Sequence, residues 1–381
     1  MLRTLTEEIN KVWKEARAHY AGQIDMNENK FVKVLVLDGC FIIELFRKQA
    51  YEKDLKDKND PIFSMSCLFQ FLLNDLILLE NQIPWMVLDK LFNLTRTSVD
   101  NKYLVQLAID FFGNIFSTTP PPIQPLLSPS HPSKHILDLL RNSLVLNSSM
   151  LENRDNQEMV SSEPDPMHSA STLKDSGVKP IHSATSLGDS GIKRTQLATT
   201  LEDSGIKRMH SATSLVESGI KFEMRESKSI LDIEFKEGVL KIPQLFIQET
   251  TETVFRNLIS LEQCCPNYEP TFTSYAVLLD NLINSREDME VLCKSKAIES
   301  WLNIDDATKF FNKLYIDTFV KKSYYSNLTF KVDKYCERFW PRQRRVLMRD
   351  YFRHPWAQIS VAAASVGLIL AFLQTLFTII K

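Results

Sequence analysis

Glycine is scarce in this sequence, with 10 copies in 381 residues, and neither G-x-x-x-x-G-K-[ST] nor G-x-G-x-x-G occurs. Loops that cradle phosphates with closely spaced backbone N–H groups are therefore excluded. The six cysteines, Cys40, Cys67, Cys264, Cys265, Cys293 and Cys336, include no C-x-x-C spacing. A chain this long and this sparse in cysteine does not read as a disulfide framework, and buried reduced thiols acting as small hydrophobes are expected. The seven histidines, His19, His131, His135, His168, His182, His210 and His354, have no metal-ligand spacing with Cys or an acid. No metal or cofactor is expected. An excess of one charge is also missing: 45 Lys and Arg stand against 47 Asp and Glu, a net charge of −2. Nothing draws the whole molecule to nucleic acid, so an electrostatic partner must meet a local patch. The opening MLRTLTEEINKVWKEARAHY lacks the apolar core of a signal peptide. Its Leu5, Ile9, Val12, Trp13 and Ala16 fall at helical spacing instead.

What is present favours helices. Hydrophobic residues make up 44% of the chain and Phe alone supplies 23, a balance suited to helical packing around aromatic and Leu side chains. Residues 1–117 read as four helices. The second, Lys30 to Lys48, carries VKVLVLDGCFIIELF and is apolar nearly all round, hence expected to be buried. The third and fourth flank Pro84, which removes a backbone donor and ends or kinks the helix before it. Asn74, Asp75, Glu80, Asn81 and Gln82 interrupt that stretch and make a membrane span costly there. Partnered buried polar groups are the expectation for Asp75 and Glu80. Six prolines within 118–133 demand an extended loop, and a short helix follows from His135. Beyond residue 222, Leu231, Ile233 and Phe235 alternate with Asp232, Glu234 and Lys236. A turn at Lys236-Glu237-Gly238 leads to a return strand ending at Pro243, so this segment reads as a β-hairpin. Helices resume at Thr251–Gln263, Ser274–Asn284 and Asp306–Tyr315, and a last one breaks near Pro341.

Four copies of a 14-residue unit run from Met167 to Phe222: MHSASTLKDSGVKP, IHSATSLGDSGIKR, TQLATTLEDSGIKR and MHSATSLVESGIKF. Ser or Thr would cap a two-turn helix and Gly would end it. Each unit offers few aliphatic side chains against the entropy of ordering 14 residues, so the repeats read as a disordered insertion. Within the second copy, Gly188-Asp189-Ser190-Gly191 matches the core of the trypsin-like nucleophile motif. A polar repeat supplies neither the paired His nor the oxyanion hole that such a serine needs. Thr200-Leu-Glu-Asp203 and Ser214-Leu-Val-Glu217 fit acidophilic phosphorylation sites and helix caps equally well.

From Trp356 to Ile380 the chain runs 25 residues without a charge. About 20 suffice to cross a bilayer core of roughly 30 Å, so a C-terminal transmembrane helix is expected, with Trp356 as its interface anchor. Arg342, Arg344, Arg345, Arg349 and Arg353 precede it. By the positive-inside rule they place the main domain in the cytoplasm and set the arginines at the membrane surface. The expected architecture is a mainly α domain with a small β-hairpin, a disordered repeat insertion and one C-terminal transmembrane helix. Its parts would be an N-terminal helical half, 1–150; the repeat linker, 151–222; a C-terminal helical half with the hairpin, 223–337; a basic juxtamembrane segment, 338–355; and the span, 356–380.

Several segments resemble one family. VLVLDGCFIIELF, DLILLENQIPWMVLDKLF, HILDLLR, the SATSL…SGIKF unit with the following LDIEFKEGVLKIPQLFI, SYAVLLDNLINSREDMEVL and DYFRHPWAQISVAAA are similar, in this order, to a plant-specific group. That group is catalogued as domain of unknown function 247. Its members commonly begin with a further segment that this chain lacks, which reads as a truncated gene model or a shortened paralogue. They also carry the SATSL…SGIKF unit once, so the upstream copies read as a tandem expansion. The resemblance implies a plant membrane protein without an established activity, and grass relatives implicated in self-incompatibility suggest recognition or signalling. The expected function is non-enzymatic: a membrane-anchored component that binds a protein partner, with the lipid bilayer as its other partner and no nucleic acid or small-molecule substrate. An enzyme of unidentified chemistry, or a ligand-recognition protein facing the lumen or apoplast, are the alternatives.

Overall fold

The computed structural model describes residues 1–22, 24–51, 60–98, 100–112, 115, 123, 126, 133–146, 148, 209–314, 323–350 and 355–380. Met1–Ser148 and Arg208–Lys381 form one compact unit. Ser149–Lys207 forms the other, and it lies outside the described residues together with most of the proline-rich run.

The first unit is mainly helical, as its composition suggests. Before the insertion come α1 (Leu2–Asn10), α2 (Trp13–Ala18), α3 (Glu28–Ala50), α4 (Pro61–Ser64), α5 (Ser66–Ile77), a 3-10 turn (Leu79–Asn81), α6 (Trp85–Leu94), α7 (Leu104–Phe112) and α8 (Ile136–Val145). The single helix expected at the start is therefore two. Pro84 stands before α6, where its missing N–H costs nothing, and the Trp85 N–H donates to the Lys134 carbonyl instead (2.7 Å). Helix α3 buries Phe31, Val32, Leu35, Ile43 and Phe46. It is not enclosed all round, however, since Leu37 and Phe41 remain about half exposed. At Gly39 it presses on α6 so closely that an added Cβ would lie 2.5 Å from Leu91 Cδ1.

After the insertion follow α9 (Ala212–Glu217), β1 (Lys221–Arg225), β2 (Glu234–Lys236), β3 (Val239–Pro243), β4 (Leu245–Ile247), α10 (Thr251–Cys264), α11 (Thr271–Leu282), α12 (Arg286–Lys294), β5 (Ile298–Ser300), α13 (Ile304–Leu314), α14 (Ser326–Cys336), α15 (Phe339–Asp350) and α16 (Pro355–Ile380). The expected hairpin is present: β2 and β3 pair antiparallel with Lys236 opposite Val239. Glu237 and Gly238 both have positive φ (51° and 81°), the twist that a two-residue hairpin turn demands. Two pairings are additional to it. β1 joins β3 in parallel to complete a three-stranded sheet in the order β1-β3-β2, and β4 pairs in parallel with β5. The core beneath is aromatic, with Phe255 within 4.8 Å of Phe272 and 5.7 Å of Phe310, ring centre to ring centre.

The two sequence halves share this core. Arg141 of α8 donates to Glu262 of α10 (2.9 Å), the Leu79 N–H to Asn257 (2.8 Å), and Ser229 to the Leu144 carbonyl (2.6 Å).

The expected membrane span requires correction. Helix α16 forms, with 26 residues, but among the described residues no helix is long and apolar enough to cross a membrane. The single-pass, tail-anchored arrangement and the cytoplasmic placement were both inferred from that span and fall with it.

Candidate interaction site at the fourth repeat

Of the four repeat copies only the last lies among the described residues, and it is ordered into the fold. Ser211 caps α9, accepting from the Ser214 N–H. The helix ends at Gly219 with φ +94°. Ile220 N–H bonds the Leu215 carbonyl (3.0 Å) and Gly219 N–H that of Val216 (2.9 Å), the paired closure of a left-handed C-cap. The cap and stop expected from the repeat frame are therefore realised here, and the disorder expected of the repeats does not hold for this copy. Tertiary burial supplies what a 14-residue unit lacks alone: Met209, Ala212, Leu215, Ser218 and Ile220 are all buried.

A cradle of four elements receives them. From α12, Asp288 Oδ1 accepts both the Thr213 N–H (2.8 Å) and the Thr213 hydroxyl (2.7 Å). Its Oδ2 accepts from the N–H groups of Asn284 (3.1 Å) and Ser285 (3.0 Å), closing a capping box with Ser285. One carboxylate thus starts α12 and grips the repeat. From α14, Asp333 lies 4.0 Å from His210 Nε2, and Cys336 lies beside Ser218. Burial pushes the Cys336 thiol up, and the Ser218 hydroxyl opposes that shift. From the hairpin, the Gly238 carbonyl accepts the Lys221 N–H (2.9 Å), so the repeat runs directly into β1. The fourth element is α15, whose Arg344 guanidinium reaches within 2.6 Å of where a Cβ on Gly219 would sit.

Helix α15 carries most of the residues assigned to the membrane surface from sequence. Arg342, Arg344 and Arg349 are exposed, whereas Arg345 is half-buried and donates to the Cys336 carbonyl (3.4 Å). Arg353 and the Trp356 side chain lie outside the described residues. The structure brings the arginine helix and the last repeat together, a juxtaposition with no sequence signal. On its outer side α15 presents Phe339 and Trp340, 67% and 79% exposed, stacked edge to face at 5.5 Å. Leu347 and Met348 are exposed beyond them.

Several other charged groups of the described fold are used internally. Arg47 meets Asp100 in a two-pronged pair (Nε and Nη2, both 2.9 Å). Burial alone would raise the Asp100 carboxyl, but the Thr97 N–H and the Arg47 guanidinium hold it below the usual carboxylate range. Glu262 accepts from Arg141, from the Phe272 and Thr273 N–H groups and from the Thr273 hydroxyl. Asp75 and Glu80, expected to be buried, are exposed. The buried polar role beside them belongs to Gln82, which donates to the Leu76 and Leu78 carbonyls and accepts from the Leu137 N–H. All six cysteines are free, as expected, but only Cys336 is fully buried, and Cys67 and Cys264 are exposed. Among the described residues no cluster of His, Cys, Asp and Glu could hold a metal ion. The Gly188–Gly191 motif lies outside the described residues. At the same phase of the fourth copy, Ser218 is buried and its hydroxyl donates to the Ser214 carbonyl (3.0 Å).

Comparison with known proteins agrees with the resemblance read from sequence. The model for domain of unknown function 247, described as a plant protein of unknown function, matches residues 1–370. The UPF0481 protein At3g47200 of Arabidopsis thaliana is 28% identical over 91% of this chain and 68% of its own length. The putative UPF0481 protein At3g02645 of the same plant is 27% identical over 40% of this chain and 29% of its own. No solved structure matches.

Proposed function

The chain belongs to the plant family of unknown function catalogued as domain of unknown function 247, and we propose that it is a non-catalytic recognition component that binds an acidic protein partner through helix α15. The observation that carries this reading is the exposed face of that helix. Phe339 and Trp340 stand largely exposed at its start, and the exposed Arg342, Arg344 and Arg349 follow along the helix. Trp and Arg are the side chains that most often dominate protein–protein binding energy, and an arginine row adds steering toward a surface of opposite charge. Burying Trp340 in a partner pocket would remove a large aromatic surface from water, worth about 2–3 kcal/mol. Support also comes from the inward-facing charges: Asp100, Glu262 and Asp288 are held by partners within the fold.

A photo-crosslinking amino acid at position 340, introduced into the full chain in plant cells, tests the proposal. A discrete adduct with an acidic protein is expected, and Arg342→Glu with Arg349→Glu should reduce its yield about tenfold while circular dichroism is unchanged. Adduct formation insensitive to the arginines would overturn the assignment.

A further inference from the structure

Helices α1 and α3 do not close completely on one another. Leu5 and Ile9 of α1 are buried, yet an open cavity of about 340 Å³ is lined by residues of both helices. That size stands at the small end of the range of ligand sites, about 300–1,000 Å³. The lining changes character along α3. Asn29 and Lys33 come first, and Val36 and Leu37 follow on the next turn. From Asn29 to Leu37 the helix rises about 12 Å, so a polar end and an apolar end are set roughly that far apart. Val32 and Val36 are each only 1% exposed. Leu37, and Leu2 of α1, line the cavity with 48% and 62% of their surface in water, apolar area that an occupant would cover.

The charges around the cavity do not cancel. Glu7 of α1 lines it and accepts from Arg3 Nε (3.0 Å), so that carboxylate already has its counter-charge. Lys33 makes no ion pair among the described residues. The Thr6 hydroxyl is taken up by the Leu2 carbonyl (3.0 Å). The side chains of Asn10 and Asn29 make no hydrogen bond among the described residues, and both are exposed. One uncompensated cation and amide donors therefore stand at the polar end of an apolar trough.

We propose that this cavity binds a medium-chain monocarboxylic acid, with its carboxylate on Lys33 and Asn29 and its alkyl chain running over Val36 and Leu37. Each part of that ligand answers a feature of the site. A single compact ammonium suits a single anionic head. A second carboxylate would meet Glu7, and an amine would be repelled by Lys33. An uncharged alcohol of the same length would cover the apolar end but leave Lys33 partly desolvated without a counter-charge. An acid without the alkyl chain would leave Leu37 and Leu2 in water.

Methyl spectra of the full chain labelled at valine, with the signals assigned by Val32→Ile and Val36→Ile, read the site directly. Titration with octanoate should give saturable shifts at both valines. Octan-1-ol, with the same alkyl chain and no charge, should need about tenfold higher concentration, and so should octanoate added to Lys33→Gln. Lys33→Arg, which keeps the charge, should preserve binding. Leu37→Ser should weaken octanoate about fivefold by removing part of the apolar wall. Lys33 and Leu37 are both exposed, so these variants keep the fold. Shifts that octan-1-ol reproduces at the octanoate concentrations, or that Lys33→Gln leaves unmoved, would refute the carboxylate assignment. Absence of a saturable shift at both valines would refute the site. Shifts that follow protein concentration alone would do the same, assigning the cavity to a second copy of the chain.

Discussion

At the scale of single residues the least expected group is His135. It caps α8, its Nδ1 accepting from the Asp138 N–H (3.2 Å). Burial is the main cause that lowers its pKa to about 4, with Asp138 opposing the shift and Lys134 and His19 adding to it. The folded protein therefore holds a neutral ring where the unfolded chain, with its ordinary pKa near 6.5, takes up a proton. Above about pH 6.5 the two states bind protons alike and stability is unaffected. Between 6.5 and 4 only the unfolded state gains the proton, so stability falls as pH falls and levels off below 4. The full effect is about 3 kcal/mol. His135→Asn keeps a capping acceptor and removes the titration. Denaturant titrations at pH 7 and pH 4.5 should show the variant losing about 2 kcal/mol less than the parent over that interval. An equal loss would mean that His135 takes up its proton without unfolding.

At the scale of elements, α12 decides whether the fourth repeat stays seated. Its first turn reads Ser285-Arg-Glu-Asp288, a capping signature visible in sequence, yet nothing local indicates that Asp288 also holds Thr213 across 75 residues. Asp288→Ala removes the capping box and leaves the Thr213 N–H without its acceptor. A loss of about 2 kcal/mol is expected, localised rather than global. Limited proteolysis should show new first cleavages within 209–225 while the remaining fragments persist. Protection of that segment unchanged from the parent would mean that burial of Leu215 and Ile220 alone holds it.

Across the whole molecule, the halves on either side of the insertion are joined through buried polar contacts. Arg141 contributes most, since it bonds Glu262 and the Glu269 carbonyl (2.7 Å) and lies 4.4 Å from the Tyr268 ring centre. Arg141→Leu would leave the Glu262 carboxylate buried with only neutral donors, a change that costs about 3–5 kcal/mol. Because the core is shared, Trp85 fluorescence from the first half and near-UV signals from the Phe255–Phe311 cluster should shift together in one transition. Two separate transitions would show that the halves fold independently.

Periodicity and turn chemistry made much of this protein legible from its sequence alone. Apolar spacing located α3, α6, α8, α10 and α11; Lys236-Glu237-Gly238 announced the hairpin turn; and the repeat frame declared a capped helix stopped by glycine. These are local effects, set by side chains within a turn or two of one another. Family membership was legible too, because it rests on the order of such segments. Tertiary structure decided what depends on distant partners. The parallel pairings of β1 with β3 and of β4 with β5 have no hairpin turn to announce them. α12 and α14 were missed because their sequences, REDMEVLCK and SNLTFKVDKYC, are largely polar and are stabilised by packing. The terminal apolar run showed a helix in sequence and folds as one. The span inferred from it was a further claim, one that helical periodicity does not measure, and among the described residues no helix is long and apolar enough to cross a membrane. Four nearly equal repeats likewise look alike in one dimension. The fourth is set apart by its chain continuity into β1, which brings it to the Asp288 carboxylate and the cavity that receives Leu215.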